Sequence, residues 1–340
     1  MRNNLAICTA AALSLASIGT RSAPAQDFFK GKDITIYTGS ASGGPYDAYA
    51  RLVARHFASH IPGNPSIIVQ AMPGAAGRRM MGYMQNLAPK DGTVIAASQR
   101  AVPFDPLTVA ESHFDARQFG WLGSANGETN VCMVWHTSPI RTLDDLYKRE
   151  MVVGTSGPSS TDAIYPNVIN NLFGTKFKVV TGYKGAAETN IAIERGEVDG
   201  RCGISWDTLV ALNQEWLQDK KIRLLVQFAL DKNPQLPDVP SVFDMAKTDE
   251  QRQILTFWAT PNKMGRPFAL PPGTPPDRVT LMRHAFEETM KDPQLIAEAA
   301  KMKLAVDSIG GEEVTKLIQE LYSLPKDVIA KAAEASKGPS

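Results

Sequence analysis

Two short apolar strands, far apart in the chain, each run into a turn of small residues and then into a helix. The first is Ile34-Thr35-Ile36-Tyr37, followed by Gly39-Ser40-Ala41-Ser42-Gly43-Gly44-Pro45-Tyr46-Asp47. The second is Met151-Val152-Val153, followed by Gly154-Thr155-Ser156-Gly157-Pro158-Ser159-Ser160-Thr161-Asp162. Small residues let backbone N–H groups approach a ligand, and a helix N-terminus carries partial positive charge. One such turn is what any strand-to-helix connection needs. Two of them facing each other can hold a small anion without a buried lysine or arginine.

The start of the chain reads as an export signal. Arg2 precedes an apolar stretch from Leu5 to Ile18, and Ala23-Pro24-Ala25 fits a small-x-small cleavage site that leaves Gln26 first. The stretch is too short to span a bilayer comfortably, so residues 1–25 are expected to be a cleaved signal peptide and the mature chain to be soluble and exported. Cleavage removes Cys8 and leaves Cys132 and Cys202, both in apolar strand-like runs. An oxidising compartment permits a bridge, while two buried thiols are the other reading, and the sequence leaves both open. Net charge is +1 with no basic run, which argues against nucleic acid or an anionic membrane as partner.

From residue 33 onward strand and helix signals alternate, which implies α/β layers. Strands are expected at 34–38, 67–70, 93–97, 130–135, 151–155, 177–181, 202–205 and 222–228, with an extended stretch near 267–270. Helices are expected at 46–61, from Thr142 as a cap, at 277–291, and from Glu312 to about Ala335 with Pro325 interrupting. The mature length suggests two lobes. Residues 26–123 and 232–340 are assigned to lobe one and 124–231 to lobe two, so the chain crosses twice and leaves a cleft at a hinge.

No catalytic motif emerges. There is no G-x-S-x-G elbow, P-loop, G-x-G-x-x-G or H-E-x-x-H, and neither a metal nor a cofactor is expected. His56 and His60, one helical turn apart, read as solvated groups rather than a metal clamp. A hydrolase built on Ser156 or Ser159 would need a histidine base, and His113 and His136 lie in no evident strand-to-helix turn. Asp47 and Asp162 either cap their helices or offer a carboxylate to a ligand hydroxyl or water. Lys184 is a ligand cation or a surface lysine, and Trp206 a cleft wall or a core anchor.

Several segments together resemble one family. They are Gly43-Gly44-Pro45-x-Asp47, Met72-Pro73-Gly74-Ala75-Ala76-Gly77, Ala88-Pro89-Lys90-Asp91-Gly92-Thr93 and Tyr183-Lys184-Gly185-Ala186. Gly196-Glu197-Val198-Asp199, Leu236-Pro237-Asp238-Val239-Pro240 and Pro271-Pro272-Gly273-Thr274-Pro275 follow in order. The mature chain resembles the periplasmic solute receptors of tripartite tricarboxylate transporters. The resemblance implies a two-lobed, Venus-flytrap-like α/β periplasmic binding protein of type II, not an enzyme. It implies capture of an organic carboxylate between the lobes and delivery to membrane permease subunits by a monomer. Carried onto this chain, contacts come from Ser42, Gly43, Gly44 and Asp47 on lobe one and from Ser156, Ser159, Ser160 and Thr161 on lobe two. Tyr183 and Asp207 lie at the cleft edge. Tyr46, where the family commonly has Thr, and Gln99-Arg100 after the third strand add an aromatic and a cation near the mouth. With Arg201 in a strand that is usually apolar, they leave a dicarboxylate, a tricarboxylate and an aromatic acid open. A receptor for a membrane sensor kinase is the alternative partner reading.

Overall fold

The computed structural model describes residues 28–40, 42–108, 112–157, 160–183 and 185–338. The expected signal segment, Ser159 and Lys184 lie outside them.

The chain first lays down β1 (Asp33–Thr38), α1 (Pro45–Phe57), β2 (Ser66–Ala71), α2 (Arg78–Asn86), β3 (Val94–Ala97), the short α3 (Asp105–Thr108) and β4 (Gly120–Ser124). Next come β5 (Asn130–Trp135), α4 (Asp145–Lys148), β6 (Met151–Thr155), α5 (Thr161–Phe173), β7 (Phe177–Thr181), α6 (Ala186–Glu194), β8 (Gly200–Ser205), α7 (Trp206–Leu212), α8 (Gln214–Gln218) and β9 (Ile222–Phe228). The rest supplies α9 (Asp249–Lys263), β10 (Pro267–Leu270), α10 (Pro276–Lys291), α11 (Pro293–Lys301), β11 (Ile309–Gly310), α12 (Gly311–Tyr322) and α13 (Lys326–Ala335).

These strands form two mixed sheets, ordered β11-β4-β10-β3-β1-β2 and β7-β6-β8-β5-β9. β1 pairs in parallel with β2 and β3, and β6 in parallel with β7 and β8. Each glycine-rich loop therefore leaves the carboxyl end of a strand flanked by parallel neighbours, where α/β sheets open a crevice. The alternation of β1 buries Ile34 and Ile36 in one core with Leu52, Val53 and Phe57 of α1. Cys132 and Cys202 are register partners across β5 and β8, with their sulfurs within bonding reach.

The first crossing between sheets is clamped by backbone. Ala125 N–H donates to Arg266 O, Gly127 N–H to Asp307 O and Glu128 N–H to Asn262 O. The tail, assigned to lobe one by sequence, also reaches the second sheet. Nδ2 of Asn167 on α5 donates to Ser336 O, Nδ2 of Asn171 donates to Ala335 O, and Trp258 of α9 donates to Ala332 O.

The helical run ending near Ala335 is interrupted at Pro325 as expected; the proline has no N–H to continue the first helix and stands at the N-cap of the second. Other local expectations change. Thr142 is not the cap of α4; the Asp145 carboxylate accepts from Arg141 N–H, Thr142 N–H and Thr142 Oγ1 instead. His56 and His60 are half-buried and paired rather than freely solvated. Their Nε2 atoms lie 2.6 Å from Glu298 and 3.2 Å from Asp292, so α1 and α11 are tied together there.

Candidate functional site

Both loops are anchored alike. Thr38 and Thr155, the last residues of β1 and β6, are fully buried. Thr38 Oγ1 donates to Ser40 O at 2.9 Å, and Thr155 Oγ1 is bonded to Ser160 Oγ. A threonine here suits the pleated strand and turns the chain with its hydroxyl. The helices that follow start at Gly44 and Ser160, and neither N-cap supplies a side-chain bond. The first N–H groups of a helix have no acceptor within it, so both starts present donors.

An aspartate sits in the first turn of each helix, and each is tied to an arginine. Asp47 is buried; its Oδ2 accepts Arg51 Nε–H at 2.8 Å and Gly43 N–H at 2.9 Å. The Arg51 guanidinium, with help from Gly43, holds the carboxyl below its usual range against the effect of burial. Gly43 has φ +86°, a conformation open to glycine that lets the loop fold back over Asp47. Asp162 Oδ2 accepts from Arg201 Nη2 at 2.7 Å, and Arg201 Nη1 donates to Asn190 Oδ1 at 3.2 Å. The arginine in an apolar strand is thus the partner of the second helix start. Asp47 braces its loop from inside rather than offering an exposed carboxylate.

The two helix starts meet in one cavity of about 600 Å³. Pro45 and Tyr46 line it from α1, Gln99 and Arg100 from the segment after β3, and Thr161 and Tyr165 from α5. Tyr46, Gln99 and Thr161 therefore come together as the sequence suggests. Ser42, Gly43, Gly44, Ser156 and Ser160 stay on the flanking loops and do not line this cavity. Tyr183 packs over Gly154, where an added Cβ would lie 3.0 Å from the ring. Asp207 lines a second cavity of about 490 Å³ with Glu128 and Asp307. Burial raises its carboxyl pKa; Arg266 opposes the rise and Asp307 adds to it.

Between the two cavities lies a charged partition. Glu128 is ion-paired with Arg100, and its Oε1 lies 2.7 Å from Arg266 Nη1. The Arg266 guanidinium is 4.4 Å from the Tyr46 ring centroid and 5.0 Å from that of Tyr49. Burial pushes the Tyr49 hydroxyl up to about 12. Arg100 N–H donates to Tyr46 Oη at 3.3 Å, which leaves the phenol proton free for an acceptor. His136 follows β5 at the opposite end of the strands from Ser156, since β5 runs antiparallel to β8 and β6 runs parallel to β8. It does not serve as a base for that serine.

The model of the tripartite tricarboxylate transporter family receptor, TctC, matches residues 49–333. The chain belongs to this receptor family. A TctC solute binding protein from Polaromonas has a similar fold, with TM-score 0.69 at 18% identity over 88% of this chain and 98% of its own. A Rhodopseudomonas palustris protein solved with adipate reaches 0.63 at 17% identity over 89% and 97%. MatC of the same organism, with bound malate, reaches 0.60 at 18% identity over 88% and 99%. The fold of this receptor is that of the two-lobed periplasmic binding proteins.

Sequence reasoning about the receptor missed Glu128 and Arg266. Glu128 lies in a crossing segment with no periodic pattern, and Arg266 precedes a strand assembled late in the chain. The one available signal was two charges placed beside strands otherwise bounded by apolar runs.

Proposed function

We propose that this receptor captures an organic carboxylate in the cleft between its sheets and delivers it to the membrane subunits of a tripartite tricarboxylate-type transporter. The observation that carries the reading is a single cavity lined by two helix starts without side-chain caps and by Arg100 and Arg266. Backbone donors at helix starts and forked guanidinium groups both suit a carboxylate. In this reading Tyr46, Gln99 and Thr161 touch the ligand. The loops carrying Ser42, Gly43, Gly44, Ser156 and Ser160 close on it when the lobes approach. The periplasm is the compartment the family implies, and the expected signal peptide agrees with it.

Thermal-shift and calorimetric screening of mono-, di- and aromatic carboxylates on the mature chain tests the reading. An acid present at a hundred times its dissociation constant stabilises by about 2.7 kcal/mol. If no acid raises the melting temperature or gives a binding isotherm, the carboxylate reading is wrong.

A further inference from the structure

The charges around the cleft do not balance. Arg78, Arg100 and Arg266 line it, and the carboxylates bonded to them are Asp105 and Glu128. Three cations against two anions leave a surplus of one. The neighbouring pairs Asp47–Arg51 and Asp162–Arg201 cancel internally. Asp207 faces Arg266 from the second cavity behind the partition without an ion pair to it, so the count is of the bonded carboxylates alone.

The surplus has a location. The Arg266 side chain is nine-tenths buried, and its Nε is a buried donor without a hydrogen-bond partner. Its plane is held by the Tyr46 and Tyr49 rings, and Tyr46 Oη has a proton to give. Arg266 also lines the cavity, so an incoming anion meets the exposed part of its guanidinium there. Arg78 offers no equivalent, because Asp105 stands 3.2 Å from its Nη1.

Much of the remaining wall is apolar, beside Gln99, Thr108 and Thr161. Val102, Phe104, Ile164, Phe257 and Trp258 line the same cavity, with the Tyr165 ring stacked on Phe228 behind them. A second carboxylate placed against these side chains would lose its water without gaining a cation. A ring or branched hydrocarbon body would fill the space, and about 600 Å³ lies within the range for such ligands.

We infer that the ligand is a monocarboxylic acid with a bulky apolar, ring-sized body, its single carboxylate seated at Arg266 and Tyr46 and its body against the Ile164–Phe257 wall. This rests on the carboxylate reading above and narrows it, away from the diacids found in the relatives solved with adipate and malate.

The test is isothermal titration calorimetry of the full mature chain with phenylacetate, phenylacetamide, malate and adipate at fixed ionic strength. Phenylacetate is expected to bind at least ten-fold more tightly than either diacid, and the uncharged amide at least ten-fold more weakly than phenylacetate. Arg266→Gln should weaken phenylacetate at least ten-fold. Ile164→Asp, on a half-buried helix face, should do the same while the circular dichroism spectrum is kept. Tighter binding of malate or adipate than of phenylacetate overturns the monocarboxylate assignment and leaves the carboxylate receptor standing. Binding of none of the acids overturns both. Unchanged phenylacetate affinity in a folded Ile164→Asp protein overturns the apolar wall.

Discussion

Replacing Glu128 with glutamine should destabilise the empty receptor and make it more responsive to anions. The carboxylate is the shared partner of Arg100 and Arg266, and the three side chains are only 4%, 14% and 10% exposed. Glutamine keeps the shape but removes the charge, so Arg100 and Arg266 both lose the carboxylate bonded to them. Breaking a buried ion pair from one side costs about 3–5 kcal/mol. Unfolding entropy of about 2.1 cal/mol/K per residue, over roughly 310 residues, converts 4 kcal/mol into a fall of about 6 °C in melting temperature. The double variant Glu128→Gln/Arg100→Gln should fall by less than the sum of its parts, because the second change removes the stranded charge. Saturating carboxylate should recover more melting temperature in Glu128→Gln than in the parent, since the ligand now supplies the missing anion. Differential scanning calorimetry with and without acid reads all three. A Glu128→Gln protein that melts within about 1 °C of the parent and shows no extra response to acid would refute the view of the partition as a charge balance.

Three further outcomes follow from the same structure. Gly203 has φ +116°, and a Cβ there would lie 2.8 Å from Thr161 O, so Gly203→Ala should cost about 2–3 kcal/mol and displace the start of α5. Unaltered acid affinity in that variant would mean the α5 start does not touch the ligand. The Asp207 carboxyl has its pKa raised by burial, so the folded state binds more protons there than the unfolded one, and this group's contribution to stability falls as pH rises through the folded pKa. Asp207→Asn should therefore raise the melting temperature at pH 7 to 8, with the gain shrinking toward the unfolded pKa near pH 4; a gain that grows in acid would contradict the assignment. Thiol titration of the unfolded, unreduced mature chain should find no free thiol, since Cys132 and Cys202, 70 positions apart, face each other. A bridge of that span adds about 4–5 kcal/mol in the loop-entropy model, and two titratable thiols per chain would exclude it.

The strands that shape the cleft were legible because β-branched runs end abruptly in glycine turns, as at β1 and β6. β4 was not, and the lobe boundary placed after residue 123 falls inside it. Glycine and serine make up three of its five residues, and its partners β10 and β11 arrive only at the far end of the chain. The paired glycine loops were visible, but the direction of Asp47 was not, because it depends on Arg51 and on the positive φ of Gly43. Arg100 could be noticed as a cation after β3. Its meaning could not, because Glu128 and Arg266 reach it only when β10 inserts between β3 and β4. Charges that meet through late tertiary closure leave no periodic trace in sequence.

The fastening of residues 335–337 to α5 has a practical consequence for instrumentation. The first described residues pack on the other sheet, where Lys32 O accepts Ser66 N–H and Arg278 covers the Phe28 ring. The described chain thus starts on the first sheet, while its tail is fastened to α5 as well as to α9. A donor fluorophore at the start and an acceptor on the tail would read, as a change in energy transfer, whether an acid draws the first sheet toward α5.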